Sequence, residues 1–158
     1  MFKAIDGMTL AIFGAACAAI FAGIGSAIGV QRAGKAAAGV LSEQPDLFGK
    51  LLLIQALPGT QGIYGFLVAI LVMSRTGLLG GALMEVTMTQ GWGFFFACLP
   101  IAVVGLISGI MQGNVAASAV YLTAKQPGSS ARGITMTALV ETYAILALLI
   151  SILLLYGI

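Results

Sequence analysis

Charged residues divide this chain into four long apolar stretches. Charges fall at Lys3, Asp6, Arg32, Lys35, Glu43, Asp46, Lys50, Arg75, Glu85, Lys125, Arg132 and Glu141, and setting Glu141 aside leaves uncharged runs at 7–31, 51–74, 86–124 and 133–158. A helix needs roughly 20 consecutive apolar residues to cross a hydrocarbon core, so each run predicts one membrane-spanning helix. The third run holds 39 residues, about 58 Å of helix at 1.5 Å per residue. That exceeds a core of about 30 Å, so this helix is expected to continue past the bilayer. The first is expected to do the same through Ala36, Ala37 and Ala38.

The polar positions repeat. Sliding the chain by 82 places Gly23 on Gly105, Ser26 on Ser108, Gln44 on Gln126, Pro45 on Pro127, Lys50 on Arg132, Leu57 on Leu139, Thr60 on Thr142 and Ile63 on Ile145. The chain therefore reads as an all-α membrane protein of four transmembrane helices, two tandemly duplicated helical hairpins over residues 1–80 and 81–158. Both halves start on the same side, unlike the inverted repeats of many secondary transporters. Each half turns where proline and polar residues cluster, at Ser42-Glu43-Gln44-Pro45-Asp46 and at Lys125-Gln126-Pro127-Gly128-Ser129-Ser130.

Composition supports lipid as the solvent. Hydrophobic residues make up 60% and charged residues 8%, against about 25% charged in a soluble domain, and the mean hydropathy is +1.11. The net charge of +2 does not point to nucleic acid, because five of the seven Lys and Arg lie in loops 31–50 and 125–132. The positive-inside rule puts both loops in the cytoplasm, and both termini and the 75–85 loop outside. A secretory signal over the first run is disfavoured by Asp6 and by the run's length, since an h-region spans about 7–15 residues. Cys17 and Cys98 sit in apolar runs without metal-ligand spacing and read as small buried hydrophobes.

Small residues recur four apart at Ala19, Gly23, Ala27, at Gly25, Gly29, Ala33 and at Gly105, Gly109, Gly113. In lipid such stripes let helix backbones approach closely, either within one chain or in an inner ring of helices from several copies. The second and fourth helices, richer in Leu, Ile and Phe, would then face lipid.

Glu141 is the position that the apolar pattern does not explain. It lies nine residues after Arg132, about 14 Å along a helix, which is mid-membrane. A bare charge there costs about 2.5–3.5 kcal/mol even on insertion scales and marks function by default. No Lys or Arg lies at matching depth in any run, so the carboxylate needs a proton or a bound cation. Counting from the turn prolines puts Glu141 14 residues after Pro127, Gln112 15 before it, and Thr60 and Gln61 15 and 16 after Pro45. Four oxygen-bearing side chains are thus expected at one level. Leu57, Thr60, Gln61 and Tyr64 are spaced to share one helix face, and Pro58, lacking an N–H, loosens the turn before it and frees backbone carbonyls. Hard cations favour such neutral and acidic oxygens, whereas a proton needs far fewer. Gln61 and Gln112 as mere interhelical hydrogen-bond glue is the competing interpretation. The first-half counterpart of Glu141 is Gly59, so there is one carboxylate for two hairpins.

With these residues in view, the chain resembles the proteolipid of V-type rotary ATPases, most closely the sodium-translocating bacterial kind. The likeness runs the whole length, through GIGSAIG at 23–29, QALPGTQGIYG at 55–65, SGIMQGNVAA at 108–117 and VETYAIL at 140–146. It implies a rotor subunit that carries Na⁺ as a homo-oligomeric ring of identical copies turns, driven by ATP hydrolysis in a separate head. It makes Glu141 the ion-binding carboxylate, with side-chain oxygens from Thr60, Gln61 and Gln112, the Leu57 carbonyl, and Tyr64 closing the site by a hydrogen bond to Glu141. Further implied partners are a stator membrane subunit supplying a basic residue, a central-stalk subunit at the cytoplasmic loops, and the lipid of a prokaryotic cell membrane. The alternatives are an H⁺-carrying rotor of the same architecture and a small transporter or channel coupled through Glu141. No nucleotide is expected on this chain, which has no G-x-x-x-x-G-K-[ST] loop. It also has no His and no nucleophile paired with a base, so an active site of its own is not expected.

Overall fold

A computed structural model describes residues 6–158; Lys3, one of the charges before the first run, lies outside them. The elements are α1 (Gly7–Leu41), a 3-10 turn (Pro45–Leu47), α2 (Phe48–Ala56), a second 3-10 turn (Leu57–Gly59), α3 (Thr60–Arg75), α4 (Met88–Lys125), a third 3-10 turn (Pro127–Ser129) and α5 (Ser130–Tyr156). Among the described residues, four stretches are long and apolar enough to cross a membrane: Gly7–Leu41, Pro45–Arg75, Met88–Lys125 and Pro127–Tyr156. The expected overlength of the first and third helices is present, with 35 residues in α1 and 38 in α4.

Local chemistry sets the ends. The Asp6 carboxylate accepts from the Thr9 N–H at 2.8 Å and starts α1. Ahead of α4, the Thr87 hydroxyl accepts from the Gln90 N–H at 3.3 Å while the Gln90 amide oxygen accepts from the Thr87 N–H at 3.0 Å. This reciprocal pair satisfies two of the donors that a helix start leaves unpaired. Pro45 and Pro127 each open a 3-10 turn at the two hairpin bends.

The second span is one stretch in the sequence but two helices in the structure, and Pro58 is the reason. Lacking an N–H, it cannot complete the α-helical ladder, and Leu57–Gly59 tightens to a 3-10 turn. The chain still runs on, because Leu57 (φ −53°, ψ −46°) and Gly59 (φ −80°, ψ −19°) keep right-handed helical angles.

The two hairpins meet through glycine. A Cβ on Gly25 would lie 2.5 Å from the Leu106 carbonyl oxygen, and one on Gly109 would lie 2.7 Å from the Gly25 carbonyl carbon. A Cβ on Gly113 would run into the backbone of Gly29. The stripe Gly25, Gly29, Ala33 and the stripe Gly105, Gly109, Gly113 therefore pack against each other within one chain. The third stripe does not take part: nothing lies within 4 Å of a Cβ built on Gly23, and Ala27 is exposed.

Both proline turns lie at the same end of the bundle, where Lys50 Nζ donates to the Pro127 carbonyl at 3.0 Å. At the opposite end Arg75 donates to the Leu155 carbonyl and covers the Tyr156 ring. Between these ends run two apolar layers. One is built on Ala11, Ala15, Val68, Val72, Phe94 and Ile101, the other on Ala33, Ala37, Leu51, Ile54, Ala116 and Val120. The buried polar residues Ser26, Gln61, Ser108, Gln112, Thr137 and Glu141 fall between them along the helices.

Candidate ion-binding site

Glu141 is 9% exposed, and Gln61 and Gln112 are fully buried. Three spans deliver these side chains. Tyr64 Oη donates to Glu141 Oε1 at 2.5 Å, and Gln112 Nε2 donates to Glu141 Oε2 at 3.4 Å and to the Thr137 carbonyl at 3.2 Å. Gln61 Nε2 donates to Gln112 Oε1 at 2.5 Å and to Ser108 Oγ at 3.3 Å. Thr60 Oγ1 donates to the Leu57 carbonyl at 3.0 Å and lies 3.5 Å from Gln61 Oε1. One connected network thus runs from Glu141 through Gln112 and Gln61 to Thr60 and Leu57.

The residues counted to one level from the turn prolines are the ones brought together. Pro58 contributes by tightening the backbone just before Thr60, so that the Leu57 carbonyl, the Thr60 hydroxyl and the Gln61 amide oxygen follow one another along the α2–α3 junction. Two residues of the network, and one beside it, were not among the candidates. Ser108 takes the Gln61 amide and donates to the Val140 carbonyl at 3.1 Å. Thr137 is fully buried and offers its carbonyl to Gln112. Ser26, the repeat counterpart of Ser108, accepts from the Gly62 N–H at 2.7 Å and fixes α3 on α1. Sequence spacing carried the signal for two of them, because Ser108 is four residues before Gln112 and Thr137 four before Glu141, hence on the same faces.

Among the described residues, no buried side-chain nitrogen or oxygen lacks a hydrogen-bond partner. In lipid that completeness is what allows so many polar groups at one depth. The donor set suits a small monovalent cation. It carries one formal negative charge with several neutral oxygens, and among the described residues no group of three His, Cys, Asp or Glu could hold a metal ion. Oxygens sharing one cation at about 2.3–2.6 Å, the range of calcium sites, stand about 3.3–3.7 Å apart. The Thr60 to Gln61 oxygen separation of 3.5 Å falls in that window. One orientation differs from a ligand set: Gln112 turns its nitrogen, not its oxygen, toward Glu141. Its oxygen is held by Gln61, so all five oxygens face one cation only if the Gln112 amide turns over and releases that bond.

Two parallel hairpins of membrane length, with a single buried carboxylate set among neutral oxygens, define a duplicated membrane proteolipid. The chain belongs to the ATP synthase C subunit family, whose model matches residues 13–72 and again residues 95–154, two copies offset by the repeat length found in the sequence. It is 48% identical to the V-type sodium ATPase subunit K of Enterococcus hirae over 94% of this chain and 91% of that one. It is 39% identical to the A-type ATP synthase subunit K of Methanocaldococcus jannaschii over 98% of this chain and 65% of that longer one. With the 16 kDa proteolipid of the V-type proton ATPase of Nephrops norvegicus it shares 29% identity over 89% of this chain and 86% of the other.

Proposed function

We propose that this chain is the membrane rotor subunit of a V-type ATPase and that it carries Na⁺ on Glu141, held by oxygens of Gln112, Gln61, Thr60 and the Leu57 carbonyl. The observation that carries the proposal is the buried network itself: a carboxylate between two apolar layers, with both oxygens hydrogen-bonded and three further oxygens in sequence beside it. The 48% identity to a subunit of a sodium ATPase supports Na⁺ over H⁺ as the cargo. Several identical copies form a ring, and ATP hydrolysis in a separate head turns it through a central stalk seated on loops 31–50 and 125–132. These loops face the cytoplasm and both termini face outward.

The chemistry of the cycle follows from charge. Glu141 with one Na⁺ is neutral and passes lipid, whereas the emptied site is charged and does not. A basic residue of the stator subunit replaces the ion at one station and so empties the site there. Tyr64, donating to Oε1, fixes the carboxylate rotamer and keeps the loaded site shut until that station is reached.

Carbodiimide labelling of the purified protein tests the cargo. A protonated carboxyl gives its proton to the reagent's nitrogen and its oxygen then attacks the reagent's central carbon, so modification is expected at Glu141 and Na⁺ is expected to slow it severalfold. Equal labelling with and without Na⁺ makes the cargo H⁺. A second expectation concerns one ligand. Truncating a buried hydrogen-bonding partner costs roughly 1–3 kcal/mol, so Gln112→Ala should weaken Na⁺ binding roughly 5- to 150-fold. Protection from carbodiimide by graded Na⁺ measures this, and an unchanged half-protecting concentration removes Gln112 from the site.

A further inference from the structure

We infer that Ser108 is a positioning residue of the ion site: its hydroxyl decides which end of the Gln61 amide faces the cation. The inference rests on the Na⁺ site proposed above and adds to it a residue that does not itself touch the ion.

A glutamine serves a hard cation only through its oxygen, and the two ends of an amide have nearly the same shape. What each end meets therefore decides which one is presented. The oxygen end of Gln61 lies 3.5 Å from the Thr60 hydroxyl, whose single proton has a closer acceptor in the Leu57 carbonyl at 3.0 Å. The hold on this end is weak. At the nitrogen end stand two acceptors, one for each proton: Gln112 Oε1 at 2.5 Å and Ser108 Oγ at 3.3 Å.

The Gln112 part of this hold is lost when the site loads. For its oxygen to reach the cation the Gln112 amide turns over, and its nitrogen then confronts the Gln61 nitrogen, donor against donor. Gln61 could relieve this by turning over as well, which would aim its own nitrogen at Thr60 and the cation and remove one oxygen from the set. Ser108 opposes that turn. The one proton of its hydroxyl goes to the Val140 carbonyl at 3.1 Å, so toward Gln61 the serine oxygen can only accept. A Gln61 nitrogen facing it keeps a bond, whereas a Gln61 oxygen there would set lone pair against lone pair. Gln61 is fully buried and Ser108 is 5% exposed, so solvent does not replace the bond.

The backbone leaves Gln61 little slack. Gly62 is the third residue of α3, and its N–H is among the donors that a helix start leaves without a partner inside the helix. Ser26 Oγ accepts it at 2.7 Å. Ser26 and Ser108 are the same position in the two hairpins, 82 residues apart, and they take successive residues of α3. The first fixes where the helix stands; the second fixes how its ligand turns.

Protection of Glu141 from carbodiimide by graded Na⁺, in the purified full-length protein, tests this. Loss of a residue that orients a metal ligand costs about 10- to 100-fold in affinity, so Ser108→Ala should raise the half-protecting Na⁺ concentration by about that factor. Ser108→Thr and Ser108→Val, equal in size, separate the hydroxyl from packing. Ser108 borders an open groove of about 290 Å³ with room for the added methyl, so threonine should protect as serine does and valine as alanine does. In a Gln61→Ala background Ser108→Ala should add nothing, because the amide that it orients is gone. If the branched variants do not assemble, this double substitution decides alone. An unchanged half-protecting concentration in Ser108→Ala, an equal loss from threonine and valine, or an alanine effect undiminished in Gln61→Ala overturns the positioning role and leaves the Na⁺ site standing. Equal labelling of the unsubstituted protein with and without Na⁺ removes the site, and this role with it.

Discussion

Glu141→Gln is expected to abolish ion transport and to leave the ring assembled. Glutamine keeps the shape of the side chain and can still bond Tyr64 and Gln112, the two groups that hold the carboxylate. What it cannot do is change charge. A neutral residue at mid-membrane costs less to insert than a carboxylate, for which insertion scales give about 2.5–3.5 kcal/mol, so nothing in the packing opposes assembly. Loss of the single buried negative charge removes both the attraction for Na⁺ and the charge that bars an empty site from lipid. Ion uptake into vesicles holding the complete ATPase should fall to background, while native mass spectrometry finds the same number of copies. A protein that no longer assembles would make Glu141 a structural residue instead.

Gly29→Leu should have the opposite signature, with the assembly lost outright. A Cβ at this position meets the Gly109 carbonyl oxygen and lies 2.7 Å from the Pro58 side chain, so it collides with α4 and with the proline turn beside the site. Overpacking an ordinary core costs about 1–3 kcal/mol. Here the obstacle on one side is the backbone of another helix, which cannot rotate aside, and the cost should exceed that range. Gly39→Ala is the contrast, because nothing lies within 4 Å of its Cβ. Relative to glycine, alanine in a helix gains up to about 1 kcal/mol. The expected pair of results is little or no folded protein from Gly29→Leu and a slightly raised melting temperature for Gly39→Ala, by size-exclusion yield and thermal unfolding in detergent. Normal yield from Gly29→Leu would mean that α1 and α4 do not cross where described.

The hairpins were legible because lipid leaves few choices. Uncharged runs of membrane length must be helices, and an 82-residue repeat with matched prolines fixes how they are paired. The level at which Gln61, Gln112 and Glu141 meet was legible for the same reason: distance along a helix is proportional to residue number, so counting from Pro45 and Pro127 brought them to one depth. The break at Pro58 was visible as a missing donor. Which way each side chain turns was not. Ser108 and Thr137 hide among hydroxyls that are common in membrane helices, and only their four-residue spacing from Gln112 and Glu141 singles them out. The end of the Gln112 amide that faces Glu141 depends on competition among Gln61, Thr137 and the carboxylate, which no linear pattern encodes. The Thr87 and Gln90 cap was readable as Thr-x-x-Gln but does not bear on the site.

The glycine at position 59, standing where the first hairpin could have held its own acid, sets the gearing of such a machine. With Glu141 as the proposed carrier, a wheel of these chains carries half as many ions per revolution as an equal wheel with an acid on every hairpin, and turns through twice the angle for each ion it passes. If the work delivered per revolution is fixed by the head, it is shared among fewer passengers, and each can be pushed against a steeper gradient before the wheel stalls.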